Sequence, residues 1–328
     1  MNAANFSGPL ATDLADFAAT LEASATANKT TLTLLRSIDR LTQQIALPVG
    51  TLDEAFARAW LAPCESRGPN TRLGRYHLLR RFCRFLARRR QSTFIPGEPL
   101  RPRRRPSAPP HIYSRQEIRR LLDGALSLPD WERWHPCPIR SKTMHAIILL
   151  LATAGLRISE ALHLTLGDAD LENGVLSIRQ SKFRKSRLVP ISSGTADVLR
   201  GYHDLRATVA PAGADEAFFV SGRGTAYSTA CVQQMFHGMA IQAGLRGPTG
   251  RGPRLHDLRA TFAVTRLLQW YRDGDNVMNR LPLLSTYLGH AWVSDTEVYL
   301  RITTALLEQA NARFHAFAQD ILPSGGES

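Results

Sequence analysis

Between Ile95 and Pro110 the chain reads Ile-Pro-Gly-Glu-Pro-Leu-Arg-Pro-Arg-Arg-Arg-Pro-Ser-Ala-Pro-Pro, and neither a helix nor a central strand can run through it. Each proline fixes φ and lacks an N–H, so the repeated prolines enforce an extended, semi-rigid linker. The chain has 328 residues, long enough to bury a large core in each of two domains. The break predicts one domain over residues 1–106 and a second over 107–328, joined by the linker at 95–110. No internal repeat is visible on either side of it.

The two parts differ in charge. With 41 Lys+Arg against 28 Asp+Glu, the chain carries a net +13, which points to a polyanionic partner. Residues 1–106 hold 17 basic and 8 acidic side chains, a net +9, whereas 107–328 hold 24 and 20, a net +4. The first part is therefore the stronger electrostatic clamp. Its apolar residues recur at helical spacing in Asp13–Leu21, Leu32–Leu41 and Leu52–Leu61, and most clearly in Leu73, Tyr76, Leu79, Phe82, Phe85 and Leu86. Around that last stripe stand Arg72, Arg75, Arg80, Arg81, Arg84, Arg88, Arg89 and Arg90, with no acid before Glu98. An uninterrupted basic series of this kind reads as DNA contact, and Arg101, Arg103, Arg104 and Arg105 carry it into the linker.

Other classes are excluded. Cys64, Cys83, Cys137 and Cys231 are widely separated and show no paired metal spacing, so they read as reduced thiols of a cytosolic protein. The start, Met1 to Phe6, lacks the charged head and apolar core of a signal peptide, and the apolar run Ala146–Ala152 is far short of a bilayer. The expectation is a soluble, cytoplasmic protein without a membrane partner.

In the second part, Ser114-Arg115-Gln116-Glu117 is a capping box opening a helix that closes near Gly124. Trp131–Pro138 reads as a proline-broken loop. Thr143–Thr153 is an apolar, buried helix ended by Gly155, after which Arg157 stands near the start of a helical Leu156–Leu162. Val175–Arg179 and Arg187–Ile191 read as two strands joined by a turn holding Lys182, Arg184 and Lys185. Helices are predicted at 195–207, 228–243, 256–272 and 280–289, with a short strand at Phe218–Val220. The fold class is thus mainly α with a small antiparallel β-sheet. Ser294-Asp295-Thr296-Glu297 predicts a capped helix presenting Tyr299, and Leu306–Ile321 a terminal amphipathic helix.

Several residues suit attack on a phosphodiester. Such a reaction needs a nucleophile, neutralisation of the non-bridging oxygens and a proton for the departing alkoxide. Tyr299 supplies the nucleophile, its phenol activated by surrounding cations. Arg157 and Arg259 supply guanidinium forks for the phosphate oxygens. Lys182, on the hairpin turn, supplies the proton, with His256 assisting. His256 and Arg259 lie three apart and can reach one phosphate, and His290 hydrogen-bonds a phosphate oxygen. Neither metal nor nucleotide is required: the sequence shows no Walker loop and no acidic metal cluster. Glu160, in an apolar helix without a second carboxylate, reads as a structural partner of an active-site arginine.

Ala154-Gly155-Leu156-Arg157-Ile158-Ser159-Glu160, the Lys182 hairpin ending in Arg187-Leu188-Val189-Pro190, His256-Asp257-Leu258-Arg259, Leu288-Gly289-His290 and Tyr299 together resemble the tyrosine recombinases, or phage integrase family. The resemblance covers about residues 110–310, and the basic helical region before it looks like the family's core-binding domain. It implies a site-specific recombinase whose tyrosine forms a 3′-phosphotyrosine on double-stranded DNA. It further implies a homotetramer, or an assembly with sibling recombinases, exchanging strands through a Holliday junction, with the terminal helix packed on a neighbouring protomer. The chain departs from the family in lacking glycines around Lys182, which leaves Lys185 as its rival, in Ala260 after Arg259 and in a longer Trp270–Leu284 segment. The last resembles recombinases encoded on transposons. Two other readings stand beside this one: a type IB topoisomerase using similar chemistry, and a DNA-binding relative without catalysis.

Overall fold

The computed structural model describes residues 5–24, 26, 29–45, 51–62, 69–90, 92–103, 108–129, 131–132, 135–179, 186–210, 213, 216–245, 252–304 and 307–308. The chain divides into two compact units, Met1–Ser107 and Ala108–Ser328.

In the first unit, four helices follow from apolar residues spaced three and four apart: α1 (Ala11–Ala23), α2 (Lys29–Gln44), α3 (Glu54–Leu61) and α4 (Pro69–Ala87). Asp53 starts α3 by accepting from the backbone N–H of Phe56 at 2.8 Å. Leu14, Phe17, Ile38, Phe56, Trp60, Tyr76 and Phe82 form the interior, with the Phe17 and Phe82 rings 5.3 Å apart.

The arginines of α4 do not act as one face. Arg81 and Arg84 are exposed, as is Arg88 just past the helix, and Arg72 and Arg80 are half-buried. Arg75 departs from the expected DNA-facing series: it is buried, lies 4.0 Å over the Trp60 ring and donates to the Trp60 carbonyl at 2.8 Å. The reason is helical phase, because position 75 shares a side of α4 with Leu79, Phe82 and Leu86. Arg80 donates to the Tyr76 hydroxyl at 3.1 Å and to the carbonyl of Pro96. Past the end of α4, Arg89 pairs with Asp16 at 2.7 Å and Arg90 with Asp13 at 2.8 Å. The acids that interrupt the basic series come from α1, far away in sequence. Arg103 is exposed, and Arg104 and Arg105 lie outside the described residues.

The second unit opens with the Ser114 capping box, in which Glu117 N donates to Ser114 Oγ at 3.2 Å and Ser114 N to Glu117 Oε2 at 2.7 Å. Helix α5 (Arg115–Leu126) runs past Gly124 instead of closing there. A glycine within an otherwise good helix costs only about 1 kcal/mol, which flanking packing outweighs. Trp131–Pro138 is not all loop, since β1 (Trp131–Glu132) and β2 (His135–Pro136) pair antiparallel. Helix α6 (Arg140–Ala154) is buried through Met144, Ile147, Ile148, Leu150 and Leu151 and ends at Gly155, whose φ is 61°. Helix α7 (Ile158–Leu162) follows at once.

Strands β3 (Ala169–Asp170), β4 (Val175–Ile178) and β5 (Arg187–Pro190) form an antiparallel sheet in that order, with Ile178 opposite Arg187. Leu176, Ile178 and Val189 are buried. Phe218–Val220 makes no strand. Only the isolated bridges Thr165↔Ala217 and Val220↔Ala226 occur there, and the three residues are held by burial.

The remaining helices are α8 (Ser193–Arg206), α9 (Thr229–Gln242), α10 (Asp257–Arg272) and α11 (Val277–Leu288), then helical residues 294–304. A second interior group, with Phe262, Val264, Leu267, Leu281, Leu284, Leu288 and Tyr299, joins α10 and α11 to the last helical segment. The expected helix over 306–321 lies outside the described residues apart from 307 and 308. Among the described residues, no helix is long and apolar enough to cross a membrane.

Candidate active site

The site is built on the C-terminal end of α11. Gly289 takes φ 67°, and His290 N donates back to Ser285 O at 3.0 Å, as a glycine-capped helix end requires. Such an end leaves carbonyls without N–H partners and carries the negative pole of the helix dipole. Guanidiniums take both up. Arg187 Nε donates to Tyr287 O at 2.7 Å, Arg259 Nη2 to Leu288 O at 2.7 Å and Arg157 Nη2 to Gly289 O at 3.0 Å. Arg259 Nη1 also donates to Gly155 O, just past α6, at 2.7 Å. Three arginines distant in sequence thus meet because two helices end there. The approach needs glycine at 289, since a Cβ would stand 2.6 Å from Arg187 Nη1.

One carboxylate balances the group. Glu160, with its side chain 3% exposed, accepts from Arg157 Nη1 at 2.6 Å, Arg187 Nη1 at 3.1 Å and Arg187 Nη2 at 3.0 Å. The Arg157 backbone N–H adds a fourth bond at 3.0 Å. Burial acts to raise the Glu160 pKa, but the bonds from Arg187 and the Arg157 backbone outweigh it and hold it below the usual 4.5. Arg259 lies farther off, 3.9 Å from Glu160, and burial, then the charge of Arg157, brings its pKa down to about 10.

The imidazoles stand beside these cations. His256 immediately precedes α10, which carries Arg259 in its first turn. Although part of its surface meets solvent, partial burial and then the charge of Arg259 push His256 below 6.5. His290 is pushed down to about 4 by burial, then by Arg259 and Arg157. Its Nδ1 lies 2.7 Å from Thr296 Oγ1, and its ring stacks on Tyr299 with centroids 6.1 Å apart and 23° between planes. Both histidines are neutral near pH 7, able to donate or accept at a phosphate. Tyr299 sits in helical residues 294–304. That segment begins at 294, so Ser294 is its first helical residue and not its cap.

Arg157, His256, Arg259, His290 and Tyr299 are therefore neighbours. Lys182, Arg184 and Lys185 lie outside the described residues, between β4 and β5 in the sequence. Two members went unassigned in the sequence. Arg187 reads there as a strand residue, and its place in the Arg187-Leu188-Val189-Pro190 motif was the available signal. Thr296 reads as an interior position of a capping box.

A phenol, three guanidiniums and two imidazoles on a mainly helical domain define a class of enzyme that handles phosphodiesters through tyrosine. The model of the phage integrase family matches residues 113–305. Sinorhizobium fredii y4rB, named as an integrase/recombinase, is 37% identical over 309 residues, covering 94% of this chain and 90% of that protein. Tyrosine recombinase XerC of Azotobacter vinelandii is 30% identical, covering 82% of each. Among solved structures, a lambda integrase dimer bound to a COC′ core site covers 91% of this chain and 78% of that one, at TM-score 0.62 and 18% identity. The Tn1549 transposon integrase in complex with transposon right end DNA covers 92% of this chain and 99% of that one, at TM-score 0.62 and 15% identity. These two likenesses establish the shared fold. The chain belongs to the phage integrase family and is a site-specific tyrosine recombinase.

Proposed function

We propose that Tyr299 is the nucleophile of DNA strand exchange. The phenol oxygen attacks the phosphorus, the bond to the 5′-oxygen breaks, and a 3′-phosphotyrosine holds the strand until a 5′-hydroxyl attacks and reverses the step. His256, kept neutral, accepts the phenol proton. Lys182, or Lys185 from the same stretch of sequence between β4 and β5, gives a proton to the departing 5′-oxygen. Arg157, whose side chain is 21% exposed, is the guanidinium most open to a phosphate; Arg259, 1% exposed, stabilises the oxygens mainly through its charge. The observation that carries this reading is the stacking of Tyr299 on His290 at the helix end where Arg157 and Arg259 converge.

Double-stranded DNA is the partner in this reading. The exposed Arg81, Arg84, Arg88 and Arg103, together with half-buried Arg72 and Arg80, supply phosphate contacts of the first unit. Residues 1–107 then act as the core-binding domain and 108–328 as the catalytic one. The enzyme works as a tetramer of itself or with sibling recombinases in the cytoplasm, and the likeness to Tn1549 integrase favours a mobile element as its source.

Covalent trapping tests the assignment. Protein and its Tyr299→Phe variant are incubated with nicked DNA from the ends of the protein's own genetic element, in chelator and without nucleotide. A shifted band on a denaturing gel is expected with the wild type and not with the variant. A band surviving the substitution overturns the nucleophile. Recombinant products from two sites are expected as well, and relaxation of supercoils without them would indicate a topoisomerase.

A further inference from the structure

His290 is held at three points. The capped end of α11 fixes its backbone, the Tyr299 ring lies beside its own with centroids 6.1 Å apart, and Nδ1 meets the hydroxyl of Thr296, a residue that is 0% exposed. Thr296 and Tyr299 lie three residues apart in the helical segment 294–304, hence on neighbouring positions of one side. Other threonines of that segment behave differently: Thr303 donates to Tyr299 O at 2.8 Å and Thr304 to Leu300 O at 3.1 Å. Those are the usual bonds of a helical threonine to the carbonyl four residues back. In Thr296 the hydroxyl oxygen faces an imidazole nitrogen instead.

A neutral imidazole carries one proton, and the partner of one nitrogen decides where it sits. We propose that Thr296 is a positioning residue: its O–H donates to Nδ1 of His290, so that the proton stays on Nε2 and is presented to a non-bridging oxygen of the scissile phosphate. Because Thr296 belongs to the helical segment that bears Tyr299, the same bond registers the nucleophile against its phosphate donor. The inference rests on the reading of His290 as a phosphate ligand and goes beyond it by assigning the tautomer and the group that sets it.

The test uses the full chain labelled with 15N-histidine, with His290 assigned through a His290→Gln variant. In the wild type and in Thr296→Ser, the ring nitrogens of His290 are expected to show a protonated Nε2 and a bare Nδ1. In the isosteric Thr296→Val, a mixture of both tautomers is expected. A proton on Nδ1 in the wild type, or an unchanged pattern in Thr296→Val, overturns the proposal. In single-turnover trapping on nicked DNA, Thr296→Val should slow adduct formation about tenfold at unchanged DNA affinity, the equivalent of one misdirected hydrogen bond. Thr296→Ser should restore the rate, and Thr296→Val should add no further loss to His290→Gln. Equal, additive losses in the double variant would make Thr296 merely structural. A wild type that forms no Tyr299-dependent adduct would sink the nucleophile assignment, while the nitrogen spectra would still decide Thr296.

Discussion

Glu160 shows how much one side chain can determine. Four hydrogen bonds from Arg157 and Arg187 converge on a carboxylate that is almost wholly buried. Removing one member of a buried ionic group leaves the others uncompensated, so Glu160→Gln should lower the stability of the second unit by about 3–5 kcal/mol, read from urea midpoints at neutral pH. The sign with pH follows from a folded pKa below 4.5: the advantage of the wild type over this variant is complete above that value and shrinks as acid titrates the folded carboxylate. A gap between the two proteins that stays constant below pH 4.5 would contradict it. His290 governs a different window. Its pKa falls from 6.5 to about 4 on folding, so the unfolded chain binds a proton first and stability declines as pH drops between those values. His290→Gln should flatten that decline, and an equally steep decline would show that His290 does not titrate as the fold requires. The role of Glu160 could be read in the sequence, because a lone acid in an apolar helix needs a cation. The pairing of Arg187 with Glu160 could not, because the two are 27 residues apart, although the Arg187-Leu188-Val189-Pro190 motif marked the position.

At the scale of elements, the helix ends do the assembling. Gly155 and Gly289 both take positive φ, and each leaves a carbonyl end into which Arg259 donates. Gly289→Ala should cost at least about 1–2 kcal/mol for the left-handed backbone alone. The added Cβ also collides with Arg187, which is tied to Glu160 and cannot simply swing away, so adduct formation should fall with stability. Wild-type unfolding midpoints and trapping rates for Gly289→Ala would refute this. Elements with strong local signals were legible: α6 from its apolar run, the β4–β5 hairpin from its alternation, and the Ser114 cap from its reciprocal residues. The failures share a cause. Gly124 inside α5, strands of two residues each in Trp131–Pro138, and Phe218–Val220, buried with an isolated bridge at Val220, each leave a local pattern too weak for propensity to record.

For the molecule as a whole, the net +13 says that a polyanion binds, but it does not say which arginines do the binding. Burial separates them. Arg81, Arg84, Arg88 and Arg103 are exposed, whereas Arg75 is engaged by Trp60, and Arg89 and Arg90 by Asp16 and Asp13. Each phosphate contact releases condensed counterions, so the slope of log affinity against log salt should fall by about 0.9 for each contacting arginine replaced. Substituting Arg81, Arg84, Arg88 and Arg103 together by alanine should therefore flatten the slope by about 3–4 if all four touch phosphate. Arg75→Ala should leave the slope unchanged while lowering the melting temperature of the first unit, because it removes a buried hydrogen bond and a cation–π contact. The fourfold variant should show the opposite pattern, a flatter slope at nearly unchanged stability. Should Arg75→Ala flatten the slope as much as Arg84→Ala does, the separation of structural from DNA-facing arginines drawn from burial would be wrong, and the basic series would act as the single clamp that its sequence suggests.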